Sequence, residues 1–194
     1  HKGDADEYMA KMIIEEFVNK NKKALIYCGI NHALTHYNQP IYNFEKKEFV
    51  GFKKNRMGNI VYQKVPERVF LIFLHSPWPS KANPNEECFP VGGIIDEIMQ
   101  QFEDNRIGFN VKNSLFGRLR DEQTYHSIGY DKFNLETFCD GYIFQKPFKD
   151  YEGCTFDENF ITKDNFEEAI SNLPNPKARK LVSSPEVFIK ALLE

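Results

Sequence analysis

The chain has 194 residues, 41% of them hydrophobic, with 25 Lys+Arg against 28 Asp+Glu and a formal net charge of -3. That length and apolar content suit one substantial core, and the near-balanced charge offers no basic field for a phosphate backbone, so no nucleic-acid partner is expected. The longest apolar run, Val69 to Leu74, has the length of a strand rather than of the roughly 18–20 residues that cross a bilayer, so no membrane span is expected.

Cys28, Cys88, Cys139 and Cys154 are widely spaced with no C-x-x-C pair, which argues against a zinc ribbon or a disulfide scaffold and for reduced, structural thiols. The sequence starts at His1, with no initiating Met and no signal-type apolar core. It reads as a single α/β domain over residues 1–194, expected to be trimmed or to be the C-terminal part of a longer protein. Compartment and oligomeric state stay open.

From Asp6 to Asn19, Met9, Ile13 and Phe17 recur every four residues with Lys11, Glu15 and Glu16 opposite, which predicts an amphipathic helix capped by Asp4 or Asp6. Ala24 to Ile30 is an apolar run without alternation, as in a strand covered on both faces. Ile41 to Phe44 and Glu48 to Phe52 read as an antiparallel excursion, a possible flap, with Asn59 to Val65 as a further strand after the turn signal Met57-Gly58-Asn59.

Arg68 to His75 is the second strongly apolar strand, followed by a long loop, Ser76 to Pro90, and a helix, Ile94 to Glu103. Arg106 to Val111 could form a third strand. Lys112 to Thr137 is irregular and long enough to suggest a functional loop. Phe138 to Gln145 reads as the last strand, and Lys163 to Leu173 and Pro185 to Leu193 as closing helices capped by Asp164 and Ser184. The fold class is therefore α/β: a central mixed, largely parallel sheet flanked by helices, with an antiparallel hairpin excursion.

In an open parallel sheet, ligands bind beyond the carboxyl ends of the strands. The first apolar strand runs into Asn31-His32 and the second into His75, so the two histidines converge at one rim if those strands are parallel neighbours. His36, one helical turn from His32, could share a divalent metal with it, although no H-E-x-x-H is present. Imidazole at such a rim can also serve as acid or base; otherwise His32 caps the next segment and His36 is solvated. His126 is a further histidine that could reach the same cleft.

Trp78, between prolines in HSPWPSK, could wall a ligand or fold back onto the core edge. Cys88 has no histidine paired with it in sequence, which disfavours a nucleophile. Arg56, Arg106, Arg118 and Arg120 could contact anions, and Asp96 suits a helix start. Gly92-Gly93 lacks both G-x-G-x-x-G and a phosphate-loop lysine. Asp140 before Gly141 reads as a bulge or a rim carboxylate.

The run DEYMAKMIIEEFVNKNKKALIYCGINHA, Asp6 to Ala33, resembles the second-half motif of the erythromycin esterase, ChaN and Tiki/TraB-like superfamily, in which a helix opening R-D-x-x-M-A leads into a strand ending G-x-x-H. Met9-Ala10 and Gly29 to His32 carry the match, and FCDGYIFQKP, Phe138 to Pro147, is similar to the closing strand with its D-G or D-A pair. The resemblance covers about a third of the chain. It implies an α/β protein of two related halves, among relatives that include hydrolases and haem- or metal-dependent proteins, with Gly29 and His32 lining the central cleft. Ala5 stands where that signature has arginine, and the first-half motif with its glutamate and histidine is absent, so the resemblance implies a hydrolase site partly outside this chain.

Three functions follow as expectations. One is a hydrolase with His32 as base or metal ligand, assisted by His75 or His126. Another is a haem- or small-molecule-binding module with Gly29, Asn31, His36 and Tyr37 at the site, a histidine or Tyr37 as axial ligand, and Trp78 and Phe116 as walls. The third is a structural or interaction domain whose histidines are incidental.

Overall fold

In the computed structural model, residues 4–103, 106–152, 157, 160–173 and 176–193 are described, so Cys154 lies outside the described residues. The chain divides into two compact units, His1–Tyr151 and Glu152–Glu194. It is broadly α/β, with helices, a small mixed sheet and antiparallel ladders.

The first unit opens with α1 (Ala5–Ile13), which runs on through one π-helical turn, Ile14–Val18. Asp4 is its cap, accepting from the Asp6 amide at 2.8 Å, so the Asp6 side chain is released for another task. The stretch Ala24 to Ile30 does not form the expected strand. It is irregular up to Gly29 and then enters α2 (Ile30–Ala33). Leu25 is 93% and Tyr27 87% exposed, and an unalternating apolar strand is stable only with a ladder partner and covered faces, neither of which this segment has.

The hairpin β1 (Gln39–Asn43) and β2 (Glu48–Lys53) is antiparallel, as the sequence predicts, with a bulge between Ile41 and Tyr42. It is anchored rather than a free flap: Phe52 packs on Tyr130 with ring centroids 5.0 Å apart, and the Tyr125 hydroxyl donates to the Pro40 carbonyl at 2.5 Å. The Asn59 to Val65 run is a helix, α3 (Met57–Lys64), not a strand. Met57, Val61 and Val65 are four residues apart, and this 3.6-type spacing puts them on one face against Ala10, Met9 and Ile13 of α1. Gly58 makes the close approach of α3 to the end of Ile30–Ala33 possible, since a Cβ there would stand 2.5 Å from the carbonyl oxygens of Ala33 and Leu34.

The main sheet has three strands in the order β3-β7-β6, where β3 is Ile72–Leu74, β6 is Ile107–Asn110 and β7 is Gly141–Phe144. β3 pairs parallel with β7, and β6 antiparallel, so the sheet is mixed with one parallel pair rather than largely parallel. Asp140 ties its lower end together. The carboxylate accepts from the Leu71 amide at 2.8 Å, and its carbonyl accepts from the Val111 amide at 2.8 Å. A two-residue ladder, β4 (Trp78–Pro79) with β5 (Glu87–Cys88), interrupts the long loop after β3, and α4 (Ile94–Gln100) follows the Gly92-Gly93 turn.

The stretch Lys112 to Thr137 contributes to the core. It folds into 3-10 turns at Phe116–Arg118 and Tyr125–Ser127 and leads into α5 (Leu135–Phe138). Phe133, Leu135 and Phe138 are buried beside Trp78, Phe73, Tyr37 and Tyr142 in one aromatic cluster. The carboxylate of Asp121 holds the backbone around it, accepting from the amides of Val91 at 2.7 Å, Gln123 at 2.8 Å and Thr124 at 3.1 Å.

The second unit contains α6 (Phe166–Asn172), α7 (Pro176–Leu181) and α8 (Pro185–Leu193). Ser184 caps α8 as expected, its hydroxyl accepting from Val187, whereas Asn165 rather than Asp164 precedes α6. α7, rich in lysine and arginine without an apolar stripe, has no strong signal in the sequence.

Candidate functional site

The start of α1, the short α2 and the start of α3 meet at one carboxylate. Asp6 is buried, yet its Oδ1 lies 2.7 Å from His32 Nδ1 and accepts from the Met57 amide at 2.8 Å, while its Oδ2 accepts from Arg56 Nη1 at 3.2 Å. An ionised carboxylate only accepts, so Nδ1 of His32 carries a hydrogen, and in the neutral imidazole Nε2 presents the lone pair. Burial pushes the Asp6 carboxyl up, but the bonds from His32, the Met57 amide and Arg56 outweigh it and hold the group below its ordinary value. The partial positive charge at the start of α3 acts in the same direction.

Each partner is itself held. Arg56 directs Nε and Nη2 onto Gln39 Oε1 at 2.9 and 2.5 Å, and Gln39 Nε2 donates to Asn31 Oδ1 at 3.1 Å. Asn59 donates to the carbonyls of Thr35 and Tyr37 at 2.6 and 2.9 Å, fixing the turn after α2. His32 keeps 38% of its side chain exposed, and among the described residues its Nε2 has no protein partner. The result is an imidazole oriented by a buried anion with its second nitrogen open to solvent, a geometry suited to proton transfer.

Of the residues singled out in the sequence, Asn31 and His32 belong to this network, and Gly29 accepts from the His32 amide at 2.9 Å. His75 does not join them. It is 1% exposed, its Nδ1 lies 2.6 Å from the Tyr142 hydroxyl, and its Nε2 lies 3.3 Å from Asp96 Oδ2 without hydrogen-bond alignment. Burial pushes the His75 imidazole down, with Asp96 opposing in part. The two histidines share no hydrogen-bond partner.

His36 points to Thr35 Oγ1 at 3.2 Å and the Glu136 carbonyl at 3.0 Å, so both its nitrogens are engaged away from His32. Among the described residues no group of three or more His, Cys, Asp or Glu side chains is arranged for a metal ion. His126 is buried against Trp78 and Phe138, and burial pushes its imidazole down to about 3. Tyr37 donates its hydroxyl to the His126 carbonyl at 2.8 Å, and burial drives its phenol far above its ordinary value.

Trp78 is fully buried among Phe73, Phe133 and Phe138, and Phe116 stacks on Phe109 at 4.3 Å. These residues fill the core, and they do not frame a haem slot. Asp6, Gln39 and Arg56 are the functional candidates that the sequence reading missed or underweighted. The signal for Asp6 was its place in D-x-x-M-A, opposite in the motif to the histidine it holds.

No helix among the described residues is long and apolar enough to cross a membrane. No family model matches the chain, and comparison with curated proteins and with solved structures returns no match to either.

Proposed function

We propose that this chain is a hydrolase in which His32, oriented by Asp6, is the general base that activates water against an acyl carbon. The observation that carries this reading is the 2.7 Å contact from His32 Nδ1 to the buried Asp6 carboxylate, with Nε2 left open. The resemblance of Asp6 to Ala33 to the erythromycin esterase-like motif points the same way, since it joins the same two residues.

In the reaction, Nε2 of His32 takes a proton from water as the water oxygen forms a bond to the carbonyl carbon. The imidazolium that results is stabilised by Asp6, and it returns the proton to the departing alkoxide as the ester bond breaks. Arg56 acts as a positioning residue, since its guanidinium is spent on Asp6 and Gln39 and keeps the carboxylate in place.

The experiment is initial-rate hydrolysis of p-nitrophenyl acetate, p-nitrophenyl butyrate and a γ-lactone by the wild-type chain, His32→Ala and Asp6→Asn, with circular dichroism to confirm folding. The expected result is ester turnover that falls about 10²–10⁴-fold in His32→Ala. Turnover by His32→Ala at the wild-type rate, or no turnover of any of the three by the wild-type chain, overturns the proposal.

A further inference from the structure

Where the expected Ala24 to Ile30 strand would have closed the sheet, the first unit instead holds a cavity of about 770 Å³. One wall is the irregular segment that includes Ile26 and Cys28, and the other is Val69 to Leu74, with Phe17, Val18 and Val61 completing the apolar lining. That volume lies within the range of pockets that enclose a small organic ligand. Neither His32 nor Asp6 lines it, although Gly29, Ala33 and Met57 beside them do, so it lies next to the proton-transfer pair without including it.

The charge of the lining is one-sided. Lys22 and Arg68 line the cavity and no aspartate or glutamate does. Both cations are exposed, and neither has a carboxylate partner among the described residues. A predominantly apolar cavity with two unneutralised cations is complementary to a molecule with one anionic end and a long aliphatic body.

A flat iron-bearing ligand finds poor support from the histidine, the cysteine and Tyr151 of this lining. Both nitrogens of His75 face Tyr142 and Asp96, the Tyr151 hydroxyl donates to the His75 carbonyl, and burial raises the Cys28 thiol and so disfavours its thiolate.

We propose that this cavity binds a single-chain fatty carboxylate, with the aliphatic chain between the Ala24 to Gly29 segment and β3 and the carboxylate at Lys22 and Arg68. Binding covers apolar surface that the free chain leaves to solvent on Leu25 and Ile26.

The test is fluorescence titration of the purified chain with cis-parinaric acid, followed by displacement with palmitate and with hexadecanol of the same chain length. Saturable binding is expected, with palmitate displacing the probe at least 10-fold more effectively than hexadecanol. Lys22→Glu and Arg68→Glu, both at exposed positions, should each weaken palmitate at least 5-fold while leaving the thermal unfolding midpoint unchanged. A Val69→Trp substitution should reduce probe capacity, with folding checked by near-ultraviolet circular dichroism.

No saturable probe binding, equal displacement by acid and alcohol, or unchanged palmitate affinity in both charge reversals overturns the proposal. So does haem binding, read by its Soret band, that palmitate cannot displace.

Discussion

Asp6 and His32, 26 residues apart in sequence, meet at 2.7 Å because a helix start and a one-turn helix are both pressed against the start of α3. The carboxylate serves two structures at once, supplying the missing cap of α3 and the orienting anion of the imidazole. Arg56, just before α3, has a side chain unsuited to capping, and Asp6 fills that role from another element.

Replacing Asp6 with asparagine should therefore cost both activity and stability. The amide has one oxygen and a nitrogen that only donates, so it leaves either the Arg56 donor or the His32 and Met57 donors without an acceptor. A loss of about 2–4 kcal/mol is expected in urea unfolding, and the pH dependence of any ester turnover should shift along with its rate. An Asp6→Asn chain as stable as wild type would show that the carboxylate is not held as described.

Arg56→Lys tests the fork. Lysine keeps the charge but cannot span Asp6 and Gln39 with a planar set of donors. A destabilisation of about 1–3 kcal/mol is expected from denaturant titration, with a larger drop in turnover than in substrate affinity if Arg56 acts by positioning.

Gly58→Ala tests the close approach of α2 and α3. The added methyl would stand 2.5 Å from two carbonyl oxygens, and the helices must separate to admit it. A cost of about 1–3 kcal/mol is expected in thermal or chemical unfolding, with His32 displaced from Asp6 and therefore less activity per folded molecule.

Acid should weaken the fold in two overlapping windows. His75 and His126 have folded pKa values below that of the unfolded chain, in the case of His126 down to about 3. As pH falls below the unfolded value of about 6.5, the unfolded chain takes protons that the folded chain refuses, and stability drops by about 1.4 kcal/mol per pH unit for His126, with His75 adding in the same direction. Asp6 is depressed in the same sense, so its contribution is present above about 3.9 and is lost only below that. Unfolding titrations of His126→Gln should show a shallower decline between about pH 6.5 and 3 and an unchanged one below. The same slope in both chains would count against a neutral, buried His126.

The sequence made some elements legible and concealed others for identifiable reasons. The hairpin at Ile41 to Phe52 and the helix from Asp6 declare themselves by period and turn chemistry, and the helix from Ile94 does so by its apolar stripe. Asn59 to Val65 misleads because its apolar residues fit two periods over so short a run, and only packing of Met57 and Val61 against Ala10 selects the helix.

At the site, His32 was visible as a histidine after an apolar run ending in glycine. Its partner was hidden by a second plausible role, since Asp6 at a helix start reads as a cap until Asp4 is seen to fill that place. His75 was equally conspicuous by the same logic, but the apolar residues around it bury the ring, and its Nδ1 is taken by the Tyr142 hydroxyl.

Ala24 to Gly29, strand-like in composition but outside every ladder, is where the first unit should open most readily. Its exposed backbone has little to lose on leaving its place, so its amides should exchange with solvent ahead of those of β3 and β7. Trypsin should cut first beside Lys22 and Lys23, and a molecule lodged between this segment and the sheet would slow both exchange and cleavage. The chain thus carries its own reporter of occupancy, readable by mass without any label.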